Sequence, residues 1–207
     1  MVTTENLADT LIEQLKTREW VRMPASEAEY LAIAEEFPYK LEYHQGELVA
    51  MSLTSFWHEV LVNSIGFLLE QYFRDKFFFV TNSNAGLQIP LATGSYYQPD
   101  LMVIKGDPVF KIGSTSIITN PYLIVEVTSK STGKYDKEEK LPLYREIPSL
   151  EYALIVSQTR PLVTVEARTK QPNVWLTTDY RTLDSVAQLG DLALPLREIC
   201  HKITFSE

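Results

Sequence analysis

The sequence has one cysteine, an excess of acidic over basic residues and no long apolar run, and each feature excludes a class of protein. Cys200 has no partner for an internal disulfide, which favours a reducing compartment. The 19 Lys and Arg residues against 27 Asp and Glu residues give a net charge of −8, so broad coating of nucleic acid, which depends on basic side chains, is not expected. No apolar run approaches the ~20 residues that span a bilayer, and the N-terminus lacks a signal-peptide pattern. We expect a soluble, cytoplasmic protein without a membrane partner.

Composition and element order predict one α/β domain over residues 1–207. With 207 residues, 45% of them hydrophobic and 11% aromatic, the chain can bury a sizeable core, and it shows neither internal repeats nor low-complexity tracts. Helical and strand patterns follow one another in an order typical of a mixed central β-sheet flanked by helices. Residues 1–38 are predicted to form an N-terminal helical arm, with Ser26 and Glu29 as a capping box, and residues 39–207 the core.

Hydrophobic periodicity assigns most of the elements. The patterns predict helices over 5–18, 57–75 and 136–146, a hairpin over 40–51 with its turn at Gln45-Gly46, and strands over 77–81, 87–91, 101–105, 122–128, 152–157, 162–168 and 174–178. The last two strands are predicted to pair antiparallel, and the segment 192–199 is compatible with either a strand or a helix.

Glu126 is the most informative residue, because it is a carboxylate inside an apolar, β-branched stretch. The segment from Tyr122 to Val127 is typical of a strand buried on both faces. Burying a polar group there costs about 2–7 kcal/mol unless something compensates it. A metal ion is one compensator, and a buried ion pair with Lys130 or Lys140 is the structural alternative.

A second acid, Asp100, directly follows Pro99 at the start of a predicted strand, where its alternative role is that of a turn residue. If the two strands are neighbours, Asp100 and Glu126 converge at one end of the sheet. Two carboxylates and a backbone carbonyl, such as that of Val127, form an oxygen site suited to Mg²⁺ or Mn²⁺. Such an ion polarises phosphoryl oxygens and activates a water, which points to phosphodiester cleavage. A site that loads metal also makes the negative net charge compatible with a nucleic-acid substrate.

A cation near the attacking water would complete this chemistry, and Lys140 is the first candidate. Asp136, Lys140 and Tyr144 lie at i, i+4 and i+8, so they share one helical face. Lys130 is the second candidate. For Asp136 alone the favoured interpretation is an N-cap, with Glu139 completing a capping box, and for Tyr144 it is a packing aromatic with a hydrogen-bonded hydroxyl.

These residues resemble the PD-(D/E)XK nuclease superfamily and, within it, the restriction endonuclease-like family called Uma-two. The resemblance covers roughly residue 26 to the C-terminus and rests on Gly46-Glu47-Leu48, on His58 at a helix start, on Pro99-Asp100, on Glu126-Val127-Thr128-Ser129-Lys130-Ser131-Thr132, and on Asp136, Lys140 and Tyr144. It implies a restriction-endonuclease-like core in which Asp100 and Glu126 bind metal. It also implies Glu47 as a third acid and Lys140 as a displaced lysine that positions or polarises the water.

Two matched residues have plain structural alternatives, and two positions depart from the pattern. Glu47 is equally typical of an exposed turn, and His58 of a residue that packs or caps at a helix start. Thr128 stands where the superfamily has its lysine. Pro142 removes a backbone amide from the predicted helix, and a kink there would change the aim of Lys140.

The resulting expectation is an endonuclease that uses Mg²⁺ or Mn²⁺ to hydrolyse DNA. The alternative is a nuclease-fold module that has lost turnover and serves binding or regulation, which Thr128, Pro142 and the net charge favour. A homodimer is expected because cutting both strands of a duplex takes two sites, with the N-terminal helices and the 57–75 helix as its interface.

Overall fold

The computed structural model describes residues 4–82, 85–89 and 94–205. The predicted strand over 87–91 therefore lies partly outside the described residues. None of the helices within these ranges is both long enough and apolar enough to cross a bilayer.

The described residues form helices and strands in the following order along the chain. The helices are α1 (Thr4–Leu15), α2 (Glu27–Ile33), α3 (Phe56–Phe73), α4 (Gly133–Tyr135), α5 (Leu141–Tyr144) and α6 (Leu196–Ile199), with a π-helical segment (Asp136–Lys140) between α4 and α5. The strands are β1 (Trp20–Pro24), β2 (Lys40–His44), β3 (Glu47–Met51), β4 (Phe78–Asn82), β5 (Gly86–Gln88), β6 (Ser95–Tyr97), β7 (Leu101–Lys105), β8 (Ile117–Ile118), β9 (Pro121–Thr128), β10 (Tyr152–Ser157), β11 (Val163–Arg168), β12 (Trp175–Tyr180), β13 (Val186–Leu189) and β14 (Leu192–Pro195).

The central element is a six-stranded mixed sheet in the order β12-β11-β10-β9-β7-β4. Strands β9 and β10 run parallel, and the other neighbouring pairs run antiparallel. Side chains alternate along β9, so Val125 and Val127 pack towards α3 while Ile124 packs on the opposite face. Glu126 shares the face of Ile124, as the sequence predicts.

Helix α3 covers one face of this sheet and carries His58 to its edge. Its buried residues recur at helical spacing and are His58, Leu61, Val62, Ile65, Leu69 and Phe73. The helix begins where the Ser55 side chain accepts a hydrogen bond from the His58 amide at 3.1 Å. The helix start therefore fixes the backbone of His58.

A second six-stranded sheet, in the order β1-β3-β2-β6-β5-β8, packs on the other face of the central sheet. Its hairpin β2–β3 turns at Gln45-Gly46, as predicted, with φ of 49° and 97°. Strands β1, β6 and β8 are not evident from the sequence. The fold is α/β as expected, but it has two large sheets rather than one.

The N-terminal helices cover the outer face of the second sheet. Leu7, Leu11 and Leu15 of α1 are buried there, and the predicted capping box of Ser26 and Glu29 starts α2. The apolar stripe of α1 thus packs against its own chain. The predicted dimer interface stays a prediction.

The helix that carries Lys140 is widened rather than broken at Pro142. The amide of Leu141 bonds to the carbonyl of Asp136, five residues back, so the turn before Pro142 is π-helical. A π turn accommodates the missing proline amide while the chain stays helical. Asp136 lies inside this helix with helical dihedral angles, and the preceding cap position is Thr132. The prediction of Asp136 as an N-cap is therefore wrong, and Glu139 does not complete a capping box.

Candidate active site

Asp100 and Glu126 converge at one end of the central sheet, because β7 and β9 are neighbours with Leu101 opposite Val125. Asp100 Oδ2 accepts a 2.7 Å hydrogen bond from the Val127 amide, which ties the two strand ends together. Both carboxylates also face a single cation. The Nζ atom of Lys40 lies 3.2 Å from Asp100 Oδ1 and 4.0 Å from Glu126 Oε2.

Strand β2 supplies two site residues that the sequence analysis missed, Lys40 and Glu42. Lys40, Glu42 and His44 alternate with apolar Leu41 and Tyr43, a pattern typical of a strand with one solvent-facing side. The polar side here faces the central sheet instead, and Glu42 is fully buried. Three residues of one strand therefore project between the two sheets.

Lys140 is fully buried and surrounded by carboxylates. Its Nζ atom lies 2.6 Å from Glu126 Oε1, 3.0 Å from Glu42 Oε1 and 3.6 Å from Asp136 Oδ1. Glu126 and Glu42 lie at hydrogen-bond distance from the ammonium group, and Asp136 lies at ion-pair distance. The predicted face of Asp136, Lys140 and Tyr144 thus points into the site. Within it, the ammonium group of Lys140 contacts carboxylates.

Two tyrosine hydroxyls complete the hydrogen bonding of the acids. Tyr144 donates to Glu126 Oε1 at 2.6 Å, and Tyr135 donates to Glu42 Oε2 at 3.1 Å. The hydrogen-bonded hydroxyl predicted for Tyr144 is confirmed. We refer to Lys40, Glu42, Asp100, Glu126, Asp136 and Lys140 together as the charge cluster.

The two strand-borne acids differ in their electrostatic surroundings. Burial raises the pKa of Glu126 to about 7, and the opposing charges of Lys140 and Lys40 offset this only in part. Burial acts the same way on Asp100, but the charge of Lys40 and the hydrogen bond from His58 outweigh it and hold the pKa of Asp100 well below its usual range. Asp100 is therefore the firmly ionised member of the pair.

His58 belongs to the site through Asp100. Its Nε2 atom lies 3.2 Å from Asp100 Oδ2, and its Nδ1 atom lies 3.2 Å from Glu59 Oε1. Burial alone would lower the pKa of His58, but the hydrogen bond to Asp100 and the charge of that acid raise it above the usual value. His58 thus orients one carboxylate of the cluster.

Two of the predicted candidates lie away from the cluster. Glu47, at the start of β3, is half-buried and pairs with Arg22 Nε at 3.5 Å. The acid that the hairpin contributes to the cluster is Glu42, five residues earlier. Lys130 is exposed, whereas Lys140 reaches Glu126, so the second candidate lysine is not at the site. Thr128, in the usual lysine position, is buried with its hydroxyl 3.4 Å from the Val156 carbonyl.

Two cavities meet at Asp100 and open the cluster to ligands. One measures about 250 Å³ and is lined by Asp100, Glu126 and Val127 together with Ser129, Ser131 and Thr132. The other measures about 550 Å³ and extends beneath α2. Lys40, His58 and Asp100 line both cavities, whereas Lys140 lines neither.

The residues that form this site lie within a stretch of the chain that matches a known family. Residues 27–197 match the profile of the Uma2 family, described as "Putative restriction endonuclease". The chain belongs to the Uma2 family. The match begins at α2 and ends within α6, so it includes every member of the charge cluster.

The chain is also similar to three individual proteins. Two are proteins of Synechocystis sp. described as uncharacterized: sll1609 is 37% identical over 131 residues, covering 63% of this chain and 73% of its own length, and slr1290 is 33% identical over 159 residues, covering 77% and 82%. The third is the crystal structure of "a putative nuclease belonging to DUF820" from Anabaena variabilis, with a TM-score of 0.66 at 13% identity, covering 85% of this chain and 97% of that one. At that identity the likeness shows the fold, which is a restriction-endonuclease-like one.

The donor set of this Uma2 chain fits a hard divalent cation. Asp100 and Glu126 present oxygens to one shared cation, and the amide of Val127 points at Asp100, so the Val127 carbonyl lies on the same side of β9. Mg²⁺ in proteins is held by one or two carboxylates and keeps several waters. Among residues 4–82, 85–89 and 94–205, no three His, Cys, Asp or Glu side chains are arranged to hold an ion. A metal here would therefore rest on two carboxylates and a carbonyl.

Charge balance supports the same conclusion. The charge cluster contains four carboxylates, Glu42, Asp100, Glu126 and Asp136, and two ammonium groups, Lys40 and Lys140. When all four acids are ionised and His58 is neutral, two negative charges remain uncompensated, which is the charge of one divalent cation. Each proton taken up by His58, or by Glu126 with its raised pKa, removes one of these charges. Buried ion clusters are weak contributors to stability, because the cost of removing the charges from water offsets much of their attraction.

Proposed function

We propose that this protein is a divalent metal-dependent nuclease that hydrolyses phosphodiester bonds in DNA. The observation that carries the proposal is the shared cation contact of Asp100 and Glu126 at the end of two neighbouring strands, beside an open cavity. Membership of the Uma2 family and the fold shared with the Anabaena variabilis protein support it. Mg²⁺ or Mn²⁺ is the cofactor proposed.

In this proposal Asp100, Glu126 and the Val127 carbonyl would hold the metal. A metal bound there would polarise the phosphoryl oxygens and lower the pKa of a bound water. The chain's own residues keep the ligands in place: Val127 and His58 fix Asp100 through its Oδ2 atom. Such supporting contacts orient metal ligands and tune their affinity.

Lys140 and Tyr144 keep the second proposed ligand, Glu126, in place. Both contact Glu126 Oε1 at 2.6 Å, which leaves Oε2 directed at the shared cation position. Because Lys140 is enclosed by three acids and lines neither cavity, we assign it to the positioning of Glu126 rather than to contact with the water. Lys40 is the lysine of the cluster that faces the cavities.

The test is metal-dependent cleavage by purified protein. Supercoiled plasmid and single-stranded DNA are incubated with Mg²⁺ or Mn²⁺, with EDTA as the blank, for the wild type and for Asp100→Asn and Glu126→Gln. Each substitution should reduce cleavage by more than about a hundredfold, since loss of a ligand exceeds the loss of a supporting contact. Glu47→Gln, at an acid outside the cluster, is the matched control and should cleave like the wild type. Full activity of Asp100→Asn with an intact thermal unfolding transition would refute the proposal.

A second candidate, a nuclease-fold module without turnover, is favoured by the position of Lys40 Nζ between the two acids. Calorimetric titration with Mn²⁺, combined with the cleavage assay, distinguishes the nuclease from the module without turnover. Metal binding without cleavage of either DNA form supports the module, and binding with cleavage supports the nuclease.

A homodimer stays a prediction. Cleavage of both strands of a duplex would need two copies of this site, and a two-fold axis supplies them. Light scattering on the eluted protein measures the mass, and a monomer that makes double-strand breaks would contradict the prediction.

A further inference from the structure

The position of Lys40 in the charge cluster differs from that of Lys140. Lys40 Nζ lies at 3.2 Å from Asp100 but 4.0 Å from both Glu126 and Glu42, so only one of its contacts is at hydrogen-bond distance. Lys140 is held by three acids inside a helix, whereas Lys40 starts a strand, and its side chain is 17% exposed. Lys40 is therefore the more loosely held of the two ammonium groups.

The ammonium of Lys40 also lies where a metal would have to bind. Asp100 Oδ1 and Glu126 Oε2, the oxygens that face Lys40, are the ones not already used by Val127 and Tyr144. A divalent ion bound to both of these oxygens would stand where the ammonium group now lies, and like charges a few ångströms apart repel. One cation must leave when the other arrives.

The surroundings of Lys40 provide room for that movement. Its side chain lies at the junction of the two cavities, of about 250 and about 550 Å³, and lines both of them. The lysine stem is flexible, and its head group is a compact charge that hydrates readily. Rotation of the stem moves the ammonium group into open space without any change in β2.

We infer that Lys40 is the resident cation of this site, that a divalent metal displaces it into the cavities, and that it then binds the substrate phosphate. The inference rests on the proposed function, since it concerns the same two carboxylates. It explains how the negative charge of the buried acids is compensated before a metal binds. It also supplies a positive charge beside the site only after metal is loaded, which suits a chain with a net charge of −8.

The first test follows the exposure of Lys40 in the unaltered protein. The chain is treated with a limiting amine-acetylating reagent, with and without saturating Mn²⁺, and acetylation at each lysine is quantified by mass spectrometry. Lys40 should be protected without metal, like the enclosed Lys140, and should react with Mn²⁺ at a rate close to that of the exposed Lys130. Lys130 and Lys140 should each keep the same rate in both conditions.

The second test measures metal affinity by calorimetry. Lys40→Met should bind Mn²⁺ at least about tenfold more tightly than the wild type, because a competing and repelling charge has been removed. Lys130→Met, at an exposed lysine close to Glu126 in sequence, should leave the affinity unchanged. In a gel-shift assay with uncleaved single-stranded oligonucleotide and Ca²⁺, Lys40→Met should bind more weakly than the wild type.

The outcomes distinguish this inference from the proposed function. If Mn²⁺ binds the wild type and Lys40 stays protected, the exchange is refuted while the metal site stands. If Mn²⁺ binds only Lys40→Met, the lysine is a permanent occupant, which refutes the exchange and supports the module without turnover. If neither protein binds Mn²⁺, both the exchange and the metal-dependent function are refuted.

Discussion

The Nζ atom of Lys140 lies 2.6 Å from Oε1 of Glu126, and both side chains are almost completely buried. Lys140 comes from the π-helical segment and Glu126 from β9, an inner strand of the central sheet, so this contact joins the helix to the strand that carries the site. Thr128, two residues after Glu126, has its hydroxyl 3.4 Å from the Val156 carbonyl, and the ammonium group that contacts Glu126 most closely comes from the helix.

Removal of Lys140 should destabilise the fold. Lys140→Met leaves Glu126 and Glu42 with less compensating charge in a buried environment, and breaking a buried pair on one side costs about 3–5 kcal/mol. Urea denaturation followed by circular dichroism measures the free energy of unfolding. Lys130→Met, at an exposed position, should stay within about 0.5 kcal/mol of the wild type. A Lys140→Met protein as stable as the wild type would show that the cluster tolerates an apolar replacement.

Removal of the Tyr144 hydroxyl should have a smaller effect on stability. Tyr144→Phe deletes the 2.6 Å hydrogen bond to Glu126, and a bond to a charged group contributes about 1.5–3 kcal/mol. Tyr43→Phe is a useful comparison, because its hydroxyl donates to the neutral Ala25 carbonyl at 3.1 Å, where about 0.5–1.5 kcal/mol is expected. The same denaturation experiment ranks the two, and the reverse order would mean that Glu126 is not held by Tyr144 as an anion.

The sequence contains enough to predict the centre of this site. The apolar run around Glu126 indicates a buried strand, and the Pro99-Asp100 step places an acid at the start of the preceding predicted strand, over 101–105. Both follow from local rules, since side-chain alternation and strand length are properties of the segment itself. The shared cation contact of Asp100 and Glu126 agrees with the convergence that these rules predict.

The sequence could not indicate the second half of the cluster. Lys40 and Glu42 alternate with apolar residues, which is the pattern of a sheet with a wet face, and only the packing of one sheet on the other shows that this face is buried. The prediction of Asp136 as an N-cap was wrong for a related reason. Its capping pattern is local, whereas its burial beside Lys140 depends on where the helix lies against the sheets. Strands of two or three residues, such as β6 and β8, carry too little periodicity to be recognised.

Glu42 and Glu47 offer a direct test of which hairpin acid matters. Glu42→Gln should lower the free energy of unfolding by about 1–3 kcal/mol, because Lys140 loses a charged partner and the Gln98 amide, now bonded to Glu42 Oε1 at 3.0 Å, loses an ionised acceptor. Glu47→Gln breaks only a half-exposed pair with Arg22 and should change stability by less than about 1 kcal/mol. Chemical denaturation of the two variants side by side measures the difference. A larger effect of Glu47→Gln would return the role to the acid that the family pattern indicated.

The ion pair of His58 with Asp100 predicts a specific pH dependence in metal-free protein. A histidine whose folded pKa is raised contributes stability that is complete below its unfolded pKa of about 6.5 and is lost as the pH rises through the higher folded value. Two-dimensional NMR of the imidazole protons should show His58 titrating above the usual range in the wild type. In Asp100→Asn its pKa should fall, because burial and the charge of Lys40 then act without the opposing carboxylate.

Glu59→Gln is the control for this titration, since Glu59 is the exposed second partner of His58 and its charge is screened by solvent. This variant should shift the pKa of His58 much less than Asp100→Asn does. Equal shifts in the two variants would mean that His58 is tuned from the solvent side of α3. In that case His58 would serve the helix start and would not orient the carboxylate proposed to bind metal.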